Sequence, residues 1–282
     1  MAFDLWQVGL AIENGSLCAL ALQPRRHGWQ LRHWWQYRLP DIWPADCPTA
    51  PSGGLWDVLR LWRRQLPRSM SLRVSLPMHL IAQRRMAAPD RRLGEPERDG
   101  FITARAGRHF THTGEKYLLD YRADPHSSDT LLVTAARQDA VAQWLAGLTG
   151  VGLAPQVLDI MPCALRYMAS EVGLATDRLL LHVLPCGWFW VSPLAQCLEF
   201  GFIPADQTRD ISQIRRFFSQ HHPGVDPAQT QPYFSSDVPM AAPDGTLPWS
   251  PFTSGWQIYP PIPAWPAAYV VAGGLAIRQE DA

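Results

Sequence analysis

A three-stranded meander followed by a helix occurs twice in this chain, and that duplication constrains the fold more than any other feature. In the first copy, apolar runs at 6–12 and 16–22 flank Glu13-Asn14-Gly15, and Asn-Gly between apolar runs is a strong hairpin signal. A third strand at 29–39 follows the turn at 24–28. Residues 40–54 hold four prolines and two glycines and read as loop. A helix follows, with Leu55, Val58, Leu59, Trp62 and Leu66 on one stripe and Pro67 as its stop. The second copy has strands at 179–184, 188–191 and 196–202. Its helix is capped near Asp206 or Thr208 and turns Ile211, Ile214, Phe217 and Phe218 inward.

Between the copies, a strand at 72–76 closes at Pro77. Residues 80–137 then read as a small inserted unit: a strand at 81–87, a helix opened by Gly94-Glu95-Pro96-Glu97, and strands at 116–121 and 130–135. A helix with Val141, Trp144, Leu145 and Leu148 on one face ends at Gly150 and Gly152. A strand at 157–160 leads into a helix striped by Met161, Leu165, Met168 and Val172. Residues 223–266 contain eleven of the 26 prolines, a composition that argues against regular helix or central sheet. Order is expected to return at 269–277, a short apolar helix containing Gly273-Gly274.

Composition removes several function classes. Twenty-five basic and twenty-five acidic residues cancel, so the chain lacks the whole-molecule field of a general nucleic-acid binder. Lys116 is the only lysine, which leaves no GxxxxGK[ST] phosphate loop and no Schiff-base lysine. Cys18, Cys47, Cys163, Cys186 and Cys197 are odd in number and scattered, suggesting neither a disulfide framework nor a zinc site. Apolar neighbours mark all but Cys47 as small core residues. The start of the chain has no basic n-region, so a signal peptide is not expected, and Asn14-Gly15-Ser16 is not read as a glycosylation site. The longest apolar stretches fall short of the roughly 20 residues that span a bilayer. A cytoplasmic protein is the expectation.

Three local clusters admit a functional and a plain reading. His109, His112 and Glu115 could ligate a metal, but polar neighbours favour a solvated helix end, and His221-His222 reads as a loop start. Segment 73–108 carries eight arginines against four acids; a solvated face is preferred to an acidic partner, phospholipid or DNA. Trp29, Trp34, Trp35 and Trp43 are dense. Alternation sends Trp34 and Trp35 to opposite sheet faces, which leaves one available for packing or for a partner. No serine lies in a GxSxG elbow, so a hydrolase triad has no sequence support.

The ordered local motifs carry a family resemblance. They are Trp6-Gln7-Val8-Gly9-Leu10, Ser75-Leu76-Pro77, Leu119-Asp120-Tyr121, Leu132-Val133-Thr134-Ala135-Ala136, Gly152-Leu153-Ala154-Pro155, Val157-Leu158-Asp159-Ile160 and Ala272-Gly273-Gly274-Leu275-Ala276-Ile277-Arg278. In this order the chain resembles the PilM family of type IV pilus assembly proteins, on the HofM branch linked to competence and DNA utilisation. The resemblance implies a mixed α/β, actin-like (ribonuclease H-like) duplicated fold. Residues 1–79 with 138–175 would form the first lobe, 80–137 an inserted subdomain, and 176–282 a reduced second lobe with the proline-rich segment 223–266.

That superfamily binds ATP between two phosphate hairpins, each with an Asp and a glycine-rich turn. Glycines let backbone N–H groups approach the phosphates, and the Asp holds hydrated Mg²⁺. Here Ala11 stands at the first Asp position and Glu13 at its glycine, where a carboxylate would repel a polyphosphate. His182 stands at the second acid position and Leu184 at the glycine, and Pro185 removes a donor. No adenosine loop is evident, though Gly15 and Ser16 are retained. The expectation is no catalysis, no cofactor, no metal, and weak or absent ATP binding.

The resemblance further implies a scaffold that binds the cytoplasmic tail of a PilN-like (HofN-like) inner-membrane protein, in a groove between the first lobe and its insert. Met86, Leu93, Phe101, Ile102, Leu119 and Tyr121 are the groove candidates. Two alternatives stay open: an actin-like ATPase switch, and a nucleic-acid-contacting component of DNA uptake. Self-association is also left open.

Overall fold

A computed structural model describes residues 5–39, 51, 53–90, 92–110, 116–124, 127–206, 211–214, 216 and 231–280. The two meanders fold into two sheets of one topology. In the first, β1 (Trp6–Glu13), β2 (Ser16–Arg25) and β3 (Gly28–Arg38) are antiparallel neighbours. β4 (Met70–Leu76) then pairs parallel to β1, and β8 (Val157–Ile160) parallel to β4. In the second, β9 (Leu180–Leu184), β10 (Gly187–Val191) and β11 (Phe200–Pro204) form the meander. β12 (Tyr233–Ser236) lies parallel to β9, and β13 (Leu247–Pro248) parallel to β12. The orders β3-β2-β1-β4-β8 and β11-β10-β9-β12-β13 correspond strand for strand.

That correspondence corrects one expectation. The proline-rich segment supplies an interior strand, β12, flanked by β9 and β13. Its prolines bracket the strand at Pro232 and Pro239, so Tyr233-Phe234-Ser235-Ser236 keeps its backbone donors. The same segment also returns to the first sheet, where β14 (Gln257–Ile258) pairs parallel to β3. The later segment thus also adds a strand to the edge of the first sheet.

Alternation dictates what each sheet face meets. Val8, Leu10, Ile12, Leu17, Ala19 and Ala21 face α1 (Gly53–Arg63) and α3 (Gln138–Gly150), which bury Leu55, Leu59, Trp62, Val141, Trp144 and Leu148 against them. Ala11, Cys18, Leu20 and Leu22 face the other way, towards α4 (Met161–Glu171) and α5 (Val270–Ile277). In the second sheet, Leu180, Leu184, Phe189 and Val191 join that same central core. Trp188, Trp190 and Phe234 pack on the far side around Ile214, in a short helical stretch at 211–214.

The insert is a third sheet, β5 (Ile81–Ala87), β7 (Ser127–Arg137) and β6 (Tyr117–Asp124), in that order. One helix, α2 (Glu97–Phe110), covers one face through Met86, Ile102, Ala106, Leu131 and Val133. Among the described residues no helix is long and apolar enough to cross a membrane.

Candidate functional site: the inter-sheet cleft and the insert groove

Polar and exposed apolar side chains gather at two places: the meeting point of the two hairpins, and the gap between the insert and the first sheet.

At the hairpins, period two puts Gly9, Ala11 and Glu13 on the inner face of β1, and His182 between Leu180 and Leu184 on the inner face of β9. Ala11 and Leu184 are core residues and offer nothing to a ligand. Glu13 departs from expectation. It is buried rather than displayed at the turn, and its carboxyl accepts the Met78 N–H at 3.1 Å. Burial, opposed by that hydrogen bond and reinforced by nearby Asp237, pushes its pKa up to about 8. Glu13 is thus an interior carboxyl held against the Met78 N–H, not a side chain displayed at the turn.

The retained Ser16 is also occupied. Its Oγ donates to Asp237 Oδ2 at 2.6 Å. The other Asp237 oxygen lies 3.1 Å from His182 Nε2, and His182 Nδ1 lies 2.9 Å from Ser235 Oγ. Asp237 follows β12, in the proline-rich segment, and sequence reasoning missed it for that reason. A cavity of about 410 Å³ opens outside this cluster, past Gly15, Ser16, Arg38, Pro185 and Asp237. Among the described residues no group of three or more His, Cys, Asp or Glu side chains could hold a metal.

The groove lies where β6 and the face of β7 approach β8 and α4. It is a cavity of about 460 Å³ that adjoins a second of about 410 Å³; Arg122, Cys163 and Tyr167 line both. Among the described residues β6 is an edge strand of the insert sheet and β8 an edge strand of the first sheet, each with one side without a strand neighbour. Leu118 is 48% exposed and Tyr167 37% exposed, and both line this gap. Its charges are matched within its own walls. Arg278 Nε donates to Asp159 Oδ2 at 2.9 Å and its guanidinium sits 5.4 Å from the Tyr167 ring centroid, while Arg122 lies 3.5 Å from Asp120. Burial beside Asp159 pushes the Cys163 thiol up to about 12, leaving it unreactive at neutral pH.

Of the six groove candidates, Leu119 lines this cavity. Met86 and Ile102 are buried in the insert's own core, where the sheet-and-helix layer needs them. Tyr121 packs against the same cluster, Leu93 is half-buried in the turn before α2, and Phe101 is exposed on α2 beneath the Arg105 guanidinium. Beside Leu119, the cavity is lined from β6 by Leu118, Asp120 and Arg122.

Other expectations resolve similarly. Trp35 is buried edge-on to Trp62, and the half-buried Trp34 packs on the central core and donates its Nε1–H to Pro261 O at 2.9 Å. Arg73 is buried in the first sheet, donating to Arg278 O, and Arg85 pairs with Glu199; neither joins a free basic face. Cys18 and Cys163 are buried, whereas Cys186 and Cys197 are half-buried. Trp43, Cys47, His112, Glu115, His221, His222, Phe217, Phe218 and the His109 side chain lie outside the described residues.

No protein-family model matches the chain. The DNA utilization protein HofM of Escherichia coli (strain K12) is 27% identical over 145 residues, 51% of this chain and 56% of HofM, so the chain matches about half the length of that relative. The solved PilM-PilN type IV pilus biogenesis complex aligns with 96% of this chain and 97% of its own, at a TM-score of 0.64 and 17% identity. The cytoplasmic domain of EpsL, an inner membrane component of the type II secretion system of Vibrio cholerae, aligns over 97% and 96% at a TM-score of 0.57 and 8% identity. The paired β3-β2-β1-β4-β8 topology is the actin-like ATPase fold. In sequence the chain is thus similar to HofM over about half its length, and in fold it is similar to the PilM-PilN type IV pilus biogenesis complex.

Proposed function

We propose that this chain is a non-catalytic scaffold of a type IV pilus- or competence-type assembly. It works on the cytoplasmic side of the inner membrane and takes the cytoplasmic tail of a PilN-like, HofN-like protein into the groove between insert and first sheet. The observation that carries this reading is the pairing of two strand edges, β6 and β8, across a gap with Leu118 and Tyr167 exposed. An extended peptide can pair its main chain with an open edge and seat alternate side chains on the apolar walls. Because Arg278 and Asp159 already satisfy one another, an apolar segment enters without stranding a buried charge.

The absence of catalysis rests on the cleft. The acid positions are Ala11 and His182, and the remaining hydroxyl, Ser16, is committed to Asp237. Binding aligns the membrane partner, and no bond is broken.

Thermal-shift titrations with the tail peptide of the neighbouring PilN-like protein and with Mg-ATP test both halves, since a ligand of the folded state raises Tm. The expected result is a rise with peptide and none with Mg-ATP. A rise with Mg-ATP alone would overturn the reading and return the chain to the nucleotide-switch class.

A further inference from the structure

The tips of the two meander hairpins touch: a Cβ placed on Gly15 would lie 3.1 Å from the Pro185 Cβ. Directly behind this contact runs a buried polar chain. Ser16 Oγ donates to Asp237 Oδ2, His182 Nε2 meets Asp237 Oδ1, and Ser235 Oγ meets His182 Nδ1, at 2.6, 3.1 and 2.9 Å. Gln36 Nε2 adds a donor to the Asp237 carbonyl at 3.2 Å. Ser16 and Gln36 belong to the first sheet. Asp237, His182 and Ser235 belong to the second sheet or its immediate continuation, with Asp237 N donating to Val183 O.

The order Asp-His-Ser is that of a hydrolase triad, but access decides its role. His182 and Ser235 are 0% exposed, so no acyl group reaches the hydroxyl. What the arrangement does instead is mechanical. Parting the sheets at the hairpins takes the Ser16 donor from the buried Asp237 carboxylate and the Gln36 donor from the Asp237 backbone carbonyl, and a buried polar group that loses a donor is costly.

We infer that Ser16, Asp237 and His182 form an internal latch that holds the two sheets together at the cleft. The latch also reaches the groove. Gln83 Nε2, on the insert, donates to Leu198 O at 2.9 Å, and Arg85 pairs with Glu199, so the insert is fastened to the loop after β10. Holding the second sheet in place therefore holds the insert wall of the groove opposite β8. This last consequence rests on the scaffold reading above; the latch itself does not.

Hydrogen–deuterium exchange on the full chain tests it, comparing wild type with Ser16→Ala and with Asp237→Asn. In Ser16→Ala, amides of 180–184 and 233–237, all outside the first sheet, should exchange about tenfold faster, because opening of the cleft becomes easier. Acceleration confined to 6–25, or none, would sink the latch. Asp237→Asn should give the same pattern more strongly; if that variant does not fold, Ser16→Ala still decides. A parallel titration with the PilN-like tail peptide should show weaker binding to Ser16→Ala. If the peptide fails to bind even wild type, the scaffold reading falls and the exchange result stands by itself.

Discussion

Gly274 packs so closely on Ala164 that a Cβ at Gly274 would lie 1.8 Å from the Ala164 carbonyl oxygen. The contact joins α5 to α4, and on the other side of α5 a Cβ at Gly9 would fall 2.0 Å from the Ala272 oxygen. A helix clamped between a strand and another helix at such distances admits no extra carbon, because the obstructing atoms are backbone. Gly274→Ala should therefore destabilise the fold by about 3 kcal/mol or more, in the range of severe overpacking. Gly100, in α2, faces open space, and Gly100→Ala should stabilise by about 0.5–1 kcal/mol through helix propensity. Urea unfolding of both variants measures the contrast. Equal effects of the two would mean that α5 does not sit where described.

Much of this was legible in the sequence. The Asn14-Gly15 turn, the stripe from Leu55 to Trp62 and the repeated meander each state their structure locally, through turn chemistry and periodicity. β12 was not legible. It is four residues long among prolines, and what makes it a strand is its parallel partner β9, some fifty residues earlier. Groove residues were harder still. The resemblance places a groove between the first lobe and the insert but not the face of each residue, and Met86 and Ile102 are consumed by the insert's own core. Leu118 and Leu119 are adjacent and face opposite ways, and the sequence does not say which face meets the first sheet.

Glu13 gives the cleft a pH signature. Folding raises its pKa from 4.5 to about 8, so between those values the folded state keeps a proton that the unfolded chain has released. The contribution is intact below pH 4.5, is lost as pH rises, and levels off above pH 8, a total on the order of 5 kcal/mol. Glu13→Gln keeps an oxygen for the Met78 N–H and cannot ionise. Its stability should match wild type near pH 5 and exceed it by a few kcal/mol at pH 9. Urea midpoints at the two pH values check this, and parallel curves for both proteins would show that Glu13 is not buried as described.

Asp237 serves two donors at once, and its loss should be disproportionate. Asp237→Ala leaves Ser16 and His182 without their acceptor and should cost about 3–5 kcal/mol, whereas Ser16→Ala alone should cost about 1 kcal/mol. In the double variant the Ser16 effect should largely vanish, since the partner it served is already gone. Equilibrium unfolding of the four proteins gives the coupling, and strict additivity would show that the 2.6 Å contact carries no energy.

The two faces of the insert should separate binding from stability. Leu118 is exposed in the groove, whereas Ile102 is fully buried beneath α2. Leu118→Asp removes little native packing but puts a charge on an apolar wall whose other charges are paired. It should weaken the tail peptide by tenfold or more, about 1.4 kcal/mol, with Tm nearly unchanged. Ile102→Ala opens a cavity and should cost about 2–4 kcal/mol of stability, with peptide affinity near wild type at temperatures where the insert stays folded. Calorimetric titration beside a thermal melt reads both quantities on each variant. The reverse pattern, with Leu118→Asp binding normally, would move the peptide off the β6–β8 gap and back towards the α2 side of the insert.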